Sequence, residues 1–367
     1  MKLENGHVSE RALMFSVFCF MQGTMLRAAF IVAITKNDSW AMAFTGLVFS
    51  LLLIVIYVAL FRRYPQKNLF EINESIFGPI FGKLISVLYL FFFLSLAALN
   101  THDLGDFVVG HMMPGTPLTA VILLFMLVCV YAIRKGIENL LRLSTVLAII
   151  GVGAVVINSG LILKDVQINF LKPLFQLPLE KYIQGTVTIT AIPMGEIVAF
   201  AMIVPMLDKN KSAGKALAKG LVLSAIFLAF IMLRDIVTLG PLITIVGLPS
   251  YESVRYINVA GVLTRMESIY AIILISLFMF KVGILLYASV LGLAQLLNFK
   301  SYPPLIRICG ASIFFYALIV FEAVMENVDW GATTAPFFSL TFEFALPTFS
   351  LVAAVIKKAV TPQEAEG

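Results

Sequence analysis

Long apolar stretches separated by short polar segments follow one another through almost the whole chain. Ten of them are long enough to form a membrane-crossing helix, which needs about 17 or more mostly apolar residues. They lie at about 11–34, 40–61, 83–106, 117–133, 142–163, 182–207, 216–239, 268–297, 305–325 and 335–356. An even number of spans puts both termini on one side of the membrane. The pattern therefore predicts an all-α integral membrane protein with ten transmembrane helices.

The polar segments at the two ends of the chain set the boundaries of one predicted transmembrane domain. We expect residues 1–10 to be a cytoplasmic tail, residues 11–357 a single transmembrane domain, and residues 358–367 a second cytoplasmic tail. No small-residue cleavage site follows the first apolar stretch, so we interpret it as a span and not as a signal peptide.

The composition agrees with a membrane protein and offers no enzyme chemistry. Of 367 residues, 60% are hydrophobic and 13% charged, whereas soluble domains are about 25% charged. Mean hydropathy is +0.98. The three cysteines and three histidines are isolated and form no metal-ligand or catalytic motif, and no phosphate-binding glycine loop is present. We expect no enzyme activity, no cofactor and no metal site.

The positive charge of the chain follows its predicted topology. The formal net charge is +5, and with ten spans seventeen lysines and arginines fall on the side of the termini against seven on the other. Because cytoplasmic loops carry the excess of basic residues, both termini are predicted to be cytoplasmic. No nucleic-acid partner is needed to explain the charge.

The sixth span, residues 182–207, has features that an ordinary membrane helix lacks. Pro193, Met194 and Gly195 stand in succession at its centre, and Glu196 follows. Proline removes a backbone donor and glycine weakens a helix, so polar backbone groups are freed at bilayer depth. A carboxylate there marks a functional site by default. The pattern favours a discontinuous helix that lines a binding site; a simple proline kink with a paired glutamate is the alternative.

The first span carries a matching interruption. Gln22, Gly23 and Thr24 stand at its centre, with Gly23 thirteenth of 24 residues, while Pro193 is twelfth of 26. Interrupted segments at corresponding positions of two halves indicate a transporter built from inverted repeats. We therefore predict a 5+5 inverted repeat with discontinuous helices 1 and 6.

Three ionisable residues near these breaks are candidate functional groups. Arg27 follows the first break and is either a gate, with Glu196 as a possible partner, or a side chain that reaches the outer interface. Glu196 either binds a ligand ammonium or hydrogen-bonds the unwound first helix. Lys281, in the eighth span, is a candidate tethered cation that donates to the first helix where other transporters hold a sodium ion. Its alternative is a pair with Glu343 or Glu322.

Three further features lie outside the two breaks. Tyr89 and Phe93 share one face of the third span and either close an apolar ligand pocket or make ordinary core or lipid contacts. The segment Tyr251–Val262, between spans seven and eight, is predicted to form an external helix, either a lid or a surface helix without a gating role. Before span three, the amphipathic stretch within 62–83 is predicted to form a short cytoplasmic helix.

Four separated stretches resemble one known family. They are KNDSW at 36–40, RRYPQKNLFEINESIFGPIFGKLI at 62–85, IPMGEIVAFAMIVPML at 192–207 and RMESIYAIILISLFMFKVGILLY at 265–287. In this order they resemble the B-subunit, or permease-like subunit, of bacterial spore germinant receptors. The chain departs from the family in its first break, which has fewer glycines and contains Arg27.

The resemblance implies a fold of the LeuT and amino acid–polyamine–organocation type. It also implies a place in the spore inner membrane beside an A-subunit and a lipoprotein C-subunit, where the chain senses a nutrient, often an amino acid, and triggers germination. A secondary transporter of amino acids or related amines is the alternative, and a structural subunit without a ligand is a third interpretation.

The candidate site lies where helices one, three, six and eight meet. We expect amides near Gly23 and Thr24 to hold a ligand carboxylate. Carbonyls near Ile192 and Pro193 would face its ammonium, with Glu196 nearby. The complete set of candidate ligand-binding residues is Gln22, Gly23, Thr24, Tyr89, Phe93, Ile192, Pro193, Gly195 and Glu196.

Overall fold

The described part of the chain is helical. The structure is a computed structural model that describes residues 8–24, 28–207, 212–255 and 266–360. Within these ranges there is no strand, and the one β-type contact is a single bridge between Val8 and Leu207. The helices are α1 (Glu10–Gln22), α2 (Ala28–Thr35), α3 (Ser39–Arg63), α4 (Leu69–Phe107), α5 (Leu118–Arg134), α6 (Ile137–Ile162), α7 (Leu179–Ala191), α8 (Ala213–Leu239), α9 (Pro249–Arg255), α10 (Met266–Leu296), α11 (Pro303–Ile319), α12 (Val324–Thr333), α13 (Ala335–Leu340) and α14 (Leu346–Val360).

These helices account for the ten predicted spans. Seven segments of the described chain are long and apolar enough to cross a membrane, and α5 and α11 are shorter apolar helices. One of the seven, Phe30–Arg63, joins the second half of span one to span two, and α1 supplies the first half of span one. Span ten consists of α13, a π-helical turn at Thr341–Ala345, and α14.

The packing of the helices follows the predicted repeat. Spans five positions apart pack against each other: α3 on α8, α4 on α10, and α5 on α11. Several of the remaining contacts recur when each span is exchanged for its counterpart: α1 packs on α8 as α7 packs on α3, and α1 packs on α6 as α7 packs on α13. Because each half contains an odd number of spans, the second half starts from the opposite side of the membrane. The two halves are therefore related as a 5+5 inverted repeat.

Both predicted interruptions are confirmed. Helix α1 ends at Gln22, where the N–H of Gly23 donates to Cys19 O and that of Thr24 to Met21 O. Helix α7 ends at Ala191, and the chain continues after Pro193 as a nine-residue 3-10 helix, Met194–Met202. Runs of 3-10 helix longer than three or four residues are uncommon. The sixth span is thus not one helix over 182–207.

Span three begins well before its predicted start. Asn68 and Glu71 form a capping box that opens α4 at Leu69, because each side chain accepts a hydrogen bond from the other's backbone. At Gly78 the chain has φ +81° and ψ 179°, a conformation almost restricted to glycine, and Pro79 follows. The predicted short amphipathic helix is the stretch before this bend.

The sixth and eighth spans lie inside the protein. In the most apolar window of residues 179–202, 89% of positions are buried, and in that of 266–296, 67%; in residues 137–165 the figure is 28%. The spans that carry Pro193, Glu196 and Lys281 are therefore shielded from lipid by their neighbours.

A short helix packs over the end of span seven that is opposite the termini. Helix α9 contacts α8 and α10, as expected for the first part of the predicted segment; residues 256–265 lie outside the described ranges. Arg234 and Asp235, adjacent at the end of α8, are buried beneath it and paired at 2.6 Å. Ser253 donates to Asp235 at 2.7 Å, and Ser250 donates to its other oxygen. The ion pair thus anchors α9 to α8.

Removal of the Ser250 and Ser253 hydroxyls should loosen α9 and leave the Arg234–Asp235 ion pair intact. In the double variant Ser250→Ala/Ser253→Ala we expect faster amide hydrogen exchange in residues 249–255, because each lost hydrogen bond to a charged group contributes about 1.5–3 kcal/mol. Mass spectrometry of the exchanged protein measures this. Ser276→Ala, which removes an exposed hydroxyl on α10, is the control. Unchanged exchange in 249–255 would show that the serines do not hold the helix.

Candidate functional site

A buried lysine joins the two broken helices. Lys281 lies in the middle of α10, and its side chain is 0% exposed. Its Nζ donates to the hydroxyl of Thr24 at the end of the first break and forms an ion pair with Glu196 just after the second. One ammonium group therefore connects span eight to both interruptions.

The surroundings of Lys281 offset the cost of burying a charge. An isolated ammonium in a low-dielectric interior is strongly unfavourable, and a close carboxylate offsets much of that cost. Glu196 is the paired carboxylate, and Nζ also lies 4.9 Å from the centre of the Phe20 ring, where the ring quadrupole attracts a cation. Glu196, and not Glu343 or Glu322, is the ion-pair partner of Lys281.

Gly23 lets the first break approach α10 closely. Its backbone is helical, so no unusual conformation requires glycine. A Cβ at this position would lie 3.0 Å from Leu277 O and 3.1 Å from Lys281 Cβ, closer than ordinary van der Waals contact. The glycine therefore provides the space that Thr24 needs to reach Lys281.

Gln22 lies on the other side of the first break. Its Nε2 donates to Ser224 O at 3.5 Å, and its Oε1 is buried without a hydrogen-bond partner in the described chain. It lines a cavity of about 30 Å³ between α1, α6, α8 and α10, together with Asn158, whose Oδ1 likewise has no partner among the described residues. Two residues with unpartnered acceptors in the described chain thus line one small cavity whose other lining side chains are mostly apolar.

The second break is wholly buried. Ile192 is extended, with φ −128° and ψ 108°, and packs on Ala191 and Ala335. Pro193 contributes no N–H, so the carbonyls before it lose their usual helical donor. Gly195 lies against the carboxyl group of Glu343: a Cβ there would overlap Glu343 Oε2 and lie 2.9 Å from Thr190 O.

Tyr89 and Phe93 form part of an aromatic cluster between spans three and ten. Both are fully buried, with ring centres 6.2 Å apart. Tyr89 also packs on Phe342 at 6.2 Å, and Phe92 stacks on Phe342 at 4.5 Å. Tyr89 and Phe93 therefore make core contacts, and the aromatic rings of spans three and ten pack directly against each other.

The structure thus brings most of the predicted residues into one buried region, in three groups. In the first group Lys281 contacts both Thr24 and Glu196, and Gly23 packs on the lysine. The second group, Gly195, Tyr89 and Phe93, lies toward span ten. Gln22 faces the separate cavity. Arg27, the predicted gate, lies outside the described residues.

Sequence reasoning considered Glu343 only as a partner for Lys281. It is 0% exposed, and neither carboxyl oxygen has a hydrogen-bond partner in the described chain. The available signal was an acidic residue inside the tenth apolar stretch, which is rare in membrane helices. Among the described residues no group of three or more histidine, cysteine, aspartate or glutamate side chains is arranged to hold a metal ion.

Solved structures with the same architecture are membrane transporters. A Na⁺-coupled sialic acid symporter in a substrate-bound, outward-open state superimposes with a TM-score of 0.67 at 11% identity, over 98% of this chain and 91% of that one. The transporter Mhp1, of the nucleobase-cation-symport-1 family, superimposes in its closed form with a TM-score of 0.55 at 15% identity, over 99% and 95%. The fold and the broken helices define a membrane protein with the fold of these transporters.

Sequence comparison identifies the family within this class. The chain matches the spore germination protein family over residues 7–324 and belongs to it. Spore germination protein KB of Bacillus subtilis (strain 168) is 27% identical over 97% of this chain and 96% of its own length. Spore germination protein YndE of the same organism is 25% identical over 88% of each. The protein is thus a multi-pass membrane protein of the germinant receptor or permease type.

The pairing of Lys281 with Glu196 predicts a non-additive response to mutation. Lys281→Met should lower stability by roughly 3–5 kcal/mol because it leaves a buried carboxylate unpaired, and Lys281→Met/Glu196→Gln should recover much of the loss because no buried charge remains. Thermal unfolding of the purified protein in detergent checks this. Lys300→Met, at an exposed position, is the matched control. Additive losses in the double variant would contradict the pairing.

Proposed function

We propose that the protein is the nutrient-sensing, permease-like subunit of a spore germinant receptor. It binds a small nutrient, an amino acid in our proposal, near the membrane midplane and so triggers germination. Membership of the spore germination protein family supports the process, and the transporter fold supports a small-molecule site between the two breaks.

The observation that carries this proposal is the Lys281 contact with both broken helices. Ligands of transporters with this architecture bind where discontinuous helices leave backbone groups free. In our proposal the amides near Gly23 and Thr24 hold the nutrient carboxylate, and carbonyls near Ile192 and Pro193 accept from its ammonium. A nutrient that enters there must change the contacts of Lys281, so its binding favours one conformer over another.

The wider setting completes the proposal. The chain lies in the spore inner membrane with both termini in the cytoplasm, as the basic residues indicate, and an A-subunit and a C-subunit read its conformation. Sensing needs only a difference in affinity between two states, so net transport is not required. A secondary amino acid transporter with the same site is the alternative. Uptake of labelled nutrient into vesicles would distinguish it from a sensor.

A bulky side chain at the first break should abolish the nutrient response. Gly23→Leu introduces atoms where even a Cβ would lie 3.0 Å from Leu277 O, so Thr24 is displaced from Lys281 and the binding region changes shape. We expect variant spores, with the protein still in the membrane, not to germinate in response to nutrient.

The matched control for this experiment is Gly153→Leu. Gly153 lies in α6, and a Cβ added there would meet no other part of the described protein within 4 Å, so the same change should leave germination intact. A normal response of the Gly23→Leu spores would remove the proposed site. Loss of response in both variants would show a general effect of leucine.

Sodium should have no effect on nutrient binding, because in our proposal the Lys281 ammonium takes the place of a bound cation. Nutrient affinity is measured as thermal stabilisation of the purified protein by amino acids, sugars and nucleosides. We expect this affinity to change by about twofold or less when sodium is replaced by choline at equal ionic strength. A steep dependence on sodium would refute the role of the lysine.

A further inference from the structure

A second buried carboxyl group lies beside the Lys281 pair without a charge partner of its own in the described chain. Glu343 stands in the π-helical turn that interrupts span ten, and this turn packs against the 3-10 helix of span six. Its carboxyl group touches the backbone at Gly195. Its own backbone carbonyl accepts a hydrogen bond from Tyr57 at 2.7 Å, so this tyrosine hydroxyl is already engaged.

The groups that face Glu343 do not balance a negative charge. Among the described residues its charged neighbours are Glu196 and Lys281, which are paired with each other. The other titratable neighbours in that part of the chain, Tyr57 and Tyr89, are uncharged phenols. Helix α13 has no titratable residue, and those of α14 stand at its far end. Within the described chain one lysine therefore faces two carboxyl groups, and an ionised Glu343 would leave one negative charge uncompensated there.

We call the arrangement with both breaks in contact with Lys281 the closed form. An uncompensated charge at bilayer depth is strongly unfavourable, so the closed form requires a cation at Glu343. The packing decides which cation fits. The carboxyl group occupies the position that a side chain at residue 195 would take, beside Thr190 O. Phe342, the residue before it, is held between rings of span three. This close packing favours a proton, which needs no space of its own, over a hydrated metal ion.

We propose that Glu343 is a proton-binding site that couples proton uptake to closure of the broken helices. With the proton bound, the neutral acid packs against Gly195, and Lys281 keeps its ion pair with Glu196 and its hydrogen bond to Thr24. When the proton leaves to solvent, the second carboxylate competes with Glu196 for Lys281. The contact of the lysine with the first break is then weakened, and the closed form loses stability. Opening of the breaks thus releases one proton.

The bound proton can be observed directly. At about pH 6, above the ordinary carboxyl pKa of about 4.3, we expect the infrared spectrum of the purified wild-type protein to contain the C=O band of a protonated carboxylic acid. The band should be absent in Glu343→Gln and retained in Glu322→Gln, a control at an exposed position. Absence of the band in the wild type would overturn the proposal. So would its survival in Glu343→Gln, since another residue would then hold the proton.

The coupling to conformation needs a second measurement. An opening that releases one proton becomes about tenfold more favourable per pH unit. Hydrogen exchange of residues 192–202, corrected for the intrinsic rate, should therefore accelerate with pH in the wild type between about pH 6 and about pH 9. In Glu343→Gln, which imitates the neutral acid, protection should not depend on pH. Equal pH dependence in both proteins would refute the coupling. The test uses no nutrient, so its outcome is independent of the proposed function.

Discussion

The burial of one ammonium group inside the membrane domain is the constraint on which the rest of the structure depends. Lys281 is fully enclosed by protein, and a charge in that position is tolerated only with a close counter-charge and further polar partners. The chain provides Glu196 from one broken helix and Thr24 from the other. Both partners are available only because the two helices are interrupted beside α10. The breaks and the lysine are therefore parts of a single arrangement.

The same arrangement explains why small residues stand at the breaks. Gly23 brings the end of α1 against α10, and Gly195 makes room for the carboxyl group of Glu343. These glycines act through close approach, since neither has a positive φ angle. At Gly78 the reason is different, because the backbone there has φ +81°. A side chain at any of the three positions would disturb the structure, by collision at the breaks and by backbone strain at the bend.

Similarity to solved transporters shows the architecture, at identities of 11% and 15%. The centre is described by this chain's own residues, in which a lysine occupies the junction between span eight and the breaks. An apolar and aromatic wall, with Phe92 stacked on Phe342, encloses the polar groups from the side of spans three and ten. A polar centre within such a wall responds strongly to any change of charge, since the surroundings screen it poorly.

The amino-acid sequence by itself determined the spans, both interruptions and the family. The bilayer imposes these features locally: each span must be a helix of apolar residues, and proline or glycine at its centre frees backbone groups that must be satisfied. The intramembrane residues Glu196 and Lys281 could be singled out for the same reason. The 5+5 repeat of the two halves likewise followed from the matching depth of Gly23 and Pro193.

Only the tertiary structure decided which of these groups meet. Sequence reasoning left Lys281 between a role at the first break and a pair with Glu343 or Glu322, and the fold pairs it with Glu196. It left Tyr89 between an apolar ligand pocket and ordinary core or lipid contacts, and the fold packs it on Phe342. The physical reason is that these helices are apolar on most faces, so hydrophobic periodicity does not show how each is rotated against neighbours a hundred or more residues away. Those rotations decide the contacts of every buried polar group.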